Sequence, residues 1–153
     1  KARPLTTSAP ETNSAFWNNT TPTSSVFTLG NDNDVNATGK DYIAFLFAED
    51  TSDMIKCGGY VGNTSNTQAI TTGFRTQFLF VNQSEVGSSN FQLWDTTRGM
   101  QSFSAKRLEA NTTDSEFNVS FGNFYSTSTG FVANNTYNVN GRKYMYVAIA
   151  AGS

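Results

Sequence analysis

Asp32, Asp34, Asn36 and Thr38 put oxygen-bearing side chains at every second position, the spacing of the first half of a calcium loop. The second half departs from that pattern. Ala37 stands where the tight turn wants glycine and Ile43 where a bidentate glutamate belongs, so Asp32, Asp34 and Asn36 read as a solvated turn rather than a metal site. A second constellation, Asn90, Gln92, Trp94, Asp95 and Arg98, has the composition of a sugar-binding edge: an aromatic platform beside amide, carboxylate and guanidinium hydrogen-bonding groups. The same spacing has a plainer use, since Asp95 and Arg98 are three apart and can form an ion pair that pins the turn into Gly99, with Trp94 and Trp17 as buried core aromatics. Asp95, Glu109, Asp114 and Glu116 could furnish the paired carboxylates of a glycoside hydrolase, but no spacing selects two of them.

The chain has no histidine, which rules out a Ser-His-Asp triad, a Cys-His dyad and a His-ligated zinc. Cys57 is the only cysteine, so it can form neither an intrachain disulfide nor a multi-thiolate site, and it reads as a small buried hydrophobe. The residues call for no cofactor, and the expectation is a protein without catalytic activity. A formal charge of -2, with Lys106-Arg107 as the longest basic run, does not suit a nucleic-acid surface. No stretch approaches the roughly 20 apolar residues of a membrane-spanning helix, so no membrane insertion is expected, and Lys1-Ala2-Arg3-Pro4 does not open a signal peptide. Eight Asn-x-Ser/Thr sequons, at Asn18, Asn19, Asn36, Asn63, Asn82, Asn111, Asn118 and Asn134, keep an extracellular glycoprotein in view.

The elements that must position these groups are strands. Only 14% of the 153 residues are charged, against roughly 25% in an average soluble protein. Asn, Thr and Ser number 17, 21 and 16, and there are 13 Phe and 6 Tyr. That composition suits aromatic strands joined by polar turns and lacks the Ala, Leu, Glu and Lys of helix bundles. Strands are expected at 42–48, 74–81, 91–94, 117–121, 130–133 and 144–150, with a shorter one near 54–61; only 106–109 could hold a helical turn. The dense apolar run 42–48 reads as a core strand buried on both faces. Together these predict an all-β antiparallel sandwich of jelly-roll or lectin-like type.

An internal repeat is also legible. Phe27-Thr-Leu, Val35-Asn36, Gly39 and Tyr42 to Ala48 align with Phe131-Val-Ala, Val139-Asn140, Gly141 and Tyr144 to Ala150. The glycine, the tyrosine and the apolar run coincide at an offset of 102, with a two-residue contraction assigned to the loop before them; Ala2 to Thr7 matches more loosely. On this reading 1–48 is the second half of a unit, 49–72 a connection and 73–153 a full unit. The half-unit then needs cover, either from polypeptide upstream of Lys1 or from a neighbouring subunit packed against Leu5 to Val26.

Lys56-Cys-Gly-Gly-Tyr-Val-Gly-Asn63, Thr72-Gly-Phe-Arg-Thr-Gln-Phe-Leu-Phe-Val81, Trp94-Asp-Thr-Thr-Arg-Gly-Met100 and Leu108 to Asp114 occur in that order. With the Tyr42 to Ala48 run, this succession resembles a β-rich repeat domain of virion proteins from marine tailed bacteriophages. Two positions depart from the pattern: Val81-Asn82 replaces Ile-Lys, and Phe91 holds an expected Trp that is moved to position 94. The resemblance implies a non-catalytic structural or adhesion module of a tail fibre, appendage or capsid surface. It also implies a virion or extracellular location and partners that are copies of itself, other virion proteins and a host-surface glycan. The competing reading is a carbohydrate-binding lectin-like domain, which requires Trp94, Trp17 or Tyr60 to lie flat and exposed.

Overall fold

The computed structural model describes residues 13–48, 54–85, 89–101, 104–120 and 123–151. Among the described residues nine strands carry the fold: β1 (Ile55–Val61), β2 (Thr67–Thr71), β3 (Thr76–Gln83), β4 (Gln92–Asp95), β5 (Ser104–Glu109), β6 (Phe117–Ser120), β7 (Phe124–Thr127), β8 (Gly130–Asn134) and β9 (Lys143–Ala150). Every pairing is antiparallel. A six-stranded sheet has the order β1-β9-β3-β4-β5-β6, and a three-stranded sheet has the order β2-β8-β7. The protein is an all-β, sandwich-like fold, 39% strand and 9% helix.

Strand periodicity explains the core. Leu79 and Val81 of β3, Trp94 of β4, Ala105 of β5 and Tyr144, Tyr146 and Ala148 of β9 face one side of the large sheet, where they meet Phe124, Phe131 and Ala133 of the small one. Aromatic edges and faces set the packing: Trp94 meets Phe124 edge-on at 5.5 Å between centroids, and Tyr60 stacks on Tyr144 at 4.8 Å. Gly130 belongs where β8 crosses β2, because a Cβ there would stand 2.0 Å from the Ile70 carbonyl oxygen.

Several sequence expectations need correction. Residues 106–109 lie in β5, not in a helical turn; the helical turns among the described residues are α1 (Ser14–Trp17), α2 (Asn33–Asn36) and a 3-10 turn at Asn135–Tyr137. Side-chain caps account for α1 and α2, with Asn13 accepting from the Ala15 amide and Asp32 from the Asp34 amide. Within the described part of 49–72, read as a connection with a short strand near 54–61, β1 is that strand, and β2 is a further one that joins the other sheet.

The largest difference is at residues 42–48, which belong to no strand and are exposed throughout. Ile43, Phe45 and Leu46 are 85%, 81% and 75% exposed. An apolar run becomes a core strand only where neighbours offer backbone hydrogen bonds along its edges. Its repeat counterpart β9 has them on both sides, from β1 and β3, whereas the run 42–48 pairs with no strand, although β1 beside it stands at the end of its sheet. The run borders an apolar hollow of about 920 Å³ shared with Trp17, Phe27 and Leu29 and with Cys57, Met145 and Val147 of β1 and β9. The Cys57 thiol, half-buried rather than in the core, donates across it to the Phe47 carbonyl at 3.9 Å.

The turns ahead of the two runs do correspond. Gly39 and Gly141 both adopt positive φ, 71° and 76°. The Tyr42 hydroxyl donates to the Asn33 carbonyl at 2.7 Å and accepts from the Ala37 amide at 2.9 Å; the Tyr144 hydroxyl donates to the Thr136 carbonyl at 3.2 Å and accepts from the Val139 amide at 3.3 Å. Asp32 and Asn134, the residues preceding the two helical turns, already stand 102 apart, so the contraction proposed from sequence is unnecessary. The looser match at Ala2 to Thr7, and positions 5–12 of the segment expected to need cover, lie outside the described residues.

Candidate functional site

Three neighbouring strands change character at the same end of the sandwich. On β3 the inward series Leu79, Val81 continues to Gln83; on β4, read backwards, Trp94 is followed by Gln92; on β5, Ala105 is followed by Arg107 and Glu109. Alternation aligns each polar residue with the apolar residues behind it, so the core ends in a polar floor. The register places Gln92 opposite Glu109 and Val81 opposite Gln92, which sets the three strand ends side by side. Thr136 and Tyr137 from the 3-10 turn, Val139 and Arg142 from the turn into β9, and Ser89 and Asn90 from the β3–β4 connection complete a cavity of about 530 Å³. That volume suits a small molecule.

The walls form one hydrogen-bonded network. The Glu109 side chain is 4% exposed and pairs with the Arg107 guanidinium at 3.0 Å, while its other oxygen accepts from the Asn90 amide. Asn111 ties Asn90 in place, donating to its side-chain Oδ1 at 3.0 Å and accepting from the Phe91 backbone amide at 2.8 Å. Asn82, on the opposite face of β3 from Val81, holds the connection from below by donating to the Ser89 and Asn90 carbonyls, both at 3.0 Å. Gln92 accepts from the Trp94 indole at 3.1 Å and hydrogen-bonds the Tyr137 hydroxyl. Burial pushes the Tyr137 hydroxyl up to about 12, only partly opposed by Arg107. Burial also raises Tyr60 and Tyr144.

Arg142 differs from Arg107. It is exposed at the rim, its guanidinium donates to the Gln83 side-chain oxygen Oε1 at 3.4 Å, and it has no carboxylate partner among the described residues. Its backbone is fixed independently of that side chain: the Gly62 amide donates to the Arg142 carbonyl at 2.8 Å and the Gly141 amide to the Gly62 carbonyl at 2.9 Å. Gly62 permits this approach because a Cβ there would lie 2.1 Å from the Val139 carbonyl oxygen. Beyond the rim, Lys143 pairs with Glu85 at 2.6 Å.

The sugar-edge residues read from sequence are split. Asn90 and Gln92 line the cavity, whereas Asp95 and Arg98 sit at the other end of β4. There they pin the corner: Asp95 accepts from the Arg98 amide at 2.8 Å and pairs with its guanidinium at 2.7 Å. Trp94 is fully buried and Tyr60 nearly so, so neither is an exposed stacking platform; an inward position on a central strand commits the indole to the core. Trp17 is half-buried and packs edge-on against Phe27 at 6.3 Å. Of the carboxylates weighed for hydrolysis, Asp95, Glu109 and Glu116 are engaged by Arg98, Arg107 and Lys106 respectively.

In the loop read against a calcium site, Asp32 caps α2 and Asn36 donates to the Gly30 carbonyl at 2.9 Å. No cluster of three or more metal-ligating side chains occurs among the described residues. Arg107, Gln83, Arg142 and Tyr137 were not singled out from sequence. The available signal was the alternation Ala105-x-Arg107-x-Glu109, which a helical reading of 106–109 hides.

Fold and site together define an all-β sandwich-like protein with a polar cavity at one mouth and an apolar run laid outside its sheets. The chain belongs to the family described as a domain of unknown function (DUF7483), whose model matches residues 5–152. No curated protein and no solved structure matches it.

Proposed function

We propose that this chain is a non-catalytic assembly and adhesion module of a bacteriophage particle, carried by a tail fibre, appendage or capsid-surface protein in a virion or extracellular setting. It associates with copies of itself and with other virion proteins. The observation that supports this reading most is the apolar run at 42–48, with Phe27 and Leu29 also exposed beside it. A contiguous surface of this kind is a docking face rather than ordinary scatter, and strand-forming residues without a ladder favour pairing with another chain. The sequence resemblance to phage virion repeats points the same way.

The expected behaviour is self-association that strengthens with concentration in sedimentation velocity and weakens when Ile43 and Phe45 are both replaced by Asp. A chain that stays monomeric up to about 1 mM would overturn this reading. A second reading, a lectin-like carbohydrate-binding domain, draws on a separate observation: the cavity walled by Gln83, Asn90, Gln92, Arg107 and Glu109. Its stacking platform is not Trp94, so recognition there rests on hydrogen bonds and charge.

A further inference from the structure

We propose that the mouth cavity binds a small acidic saccharide, with Arg142 receiving the sugar carboxylate. The inference rests on the glycan reading of this cavity and specifies its ligand. Three observations carry it. First, the floor is built of amides, Gln83, Gln92 and Asn90, which offer both donors and acceptors, as sugar hydroxyls require. Second, the floor is held rigid: Glu109 is fixed by Arg107 and Asn90, Asn90 by Asn111, and Gln92 by Trp94 and Tyr137. A buried polar network of this size stabilises a fold less than apolar closure of the same space, so its placement at an open mouth is explained by binding. Third, the charges do not cancel. Arg107 and Glu109 neutralise each other inside, leaving Arg142 at the rim without a counter-charge among the described residues.

An exposed guanidinium beside a wall of neutral amides matches a carboxylate-bearing sugar: the fork takes the acid and the amides take the hydroxyls. The Tyr137 ring and Val139 add an apolar flank for the carbon face of the sugar.

The test is a titration of the full chain with glucuronate, glucose and acetate in separate series, read by the side-chain amide resonances of Gln83, Asn90 and Gln92. Glucuronate is expected to shift these resonances with millimolar affinity, about tenfold tighter than either glucose or acetate. Arg142→Gln should weaken glucuronate about tenfold, to the level of glucose, while leaving the melting temperature unchanged. Lys143→Gln, a charge loss just outside the cavity, should leave glucuronate binding unaltered.

Failure of both sugars to shift the resonances at about 50 mM defeats the glycan reading itself. Glucose binding as tightly as glucuronate, or Arg142→Gln without effect, defeats only the acidic specificity and Arg142's part in it. Acetate matching glucuronate defeats the saccharide. An equal loss in Lys143→Gln reduces the effect to general surface charge and also overturns the assignment to Arg142.

Discussion

Residues 42–48 and 144–150 share a pattern and have opposite fates. Each follows a helical turn, a glycine at positive φ and a tyrosine whose hydroxyl reaches back to bond that turn. The second run becomes β9, the strand between β1 and β3, with Tyr144, Tyr146 and Ala148 in the core. The first remains outside both sheets with its apolar side chains exposed. Local sequence therefore determines the turn and the direction of the tyrosine, whereas membership of a sheet is not fixed by the residues of the run alone.

The most forceful way to sharpen this contrast is to place a charge at the same repeat position in each run. Ala148→Asp buries a carboxylate at a position with no exposure and should cost upward of about 4 kcal/mol, enough to prevent folding. Leu46→Asp, at the equivalent position of the first run, should shift the thermal midpoint by less than about 2 °C. Equal destabilisation in thermal melts would show that 42–48 is packed as β9 is.

The next largest effect separates the two turns by what they support. The turn after β8 closes over the Arg107–Glu109 pair, so Glu109→Gln leaves a largely enclosed guanidinium without its counter-charge and should cost about 3 kcal/mol in chemical denaturation. Asp34→Asn, on the exposed α2 turn of the first copy, should change stability by less than about 0.5 kcal/mol.

Alkaline pH tests the second copy in the same way. Burial raises Tyr137 to about 12, above its unfolded value of 10.0. The folded state therefore holds this proton more tightly, so the associated stability is complete below the unfolded value and is lost as pH climbs from there through the folded one. Denaturation midpoints should hold steady up to about pH 9.5 and fall steeply by about pH 12, and the loss should be smaller in Tyr137→Phe. A flat profile across this window would contradict the enclosure of Tyr137.

The smallest expected difference is in the glycines. Gly141→Ala forces a Cβ into the left-handed region at a turn that feeds β9 and should cost about 1 kcal/mol of global stability. Gly39→Ala carries the same local strain on a turn that feeds no strand, and the global midpoint should not register it.

Much of the sheet structure could be read from the residues because alternation and turn chemistry act locally. β1, β3, β4, β6, β8 and β9 coincide with apolar or alternating runs bounded by Gly and Asn turns. β2, Thr-Gln-Ala-Ile-Thr, was missed because none of its side chains is buried and Ile70 is its one large apolar residue. β7, Phe-Tyr-Ser-Thr, is short and has Phe124 alone fully buried. The cavity was half legible: Asn90 and Gln92 were named, but as neighbours of an exposed Trp94. Its true floor needed the register of three strands, which brings together residues from Gln83 to Arg142 that no sequence window contains.

Hydrogen–deuterium exchange of the backbone amides in 42–48 and 144–150, followed by mass spectrometry on the same dilute sample, tests the dependence of strand formation on partners most directly. The account predicts amides in β9 protected at least about a thousandfold while those of 43–48 exchange close to the rate of an unstructured peptide. Equal strong protection of both runs in a monomeric chain would contradict it.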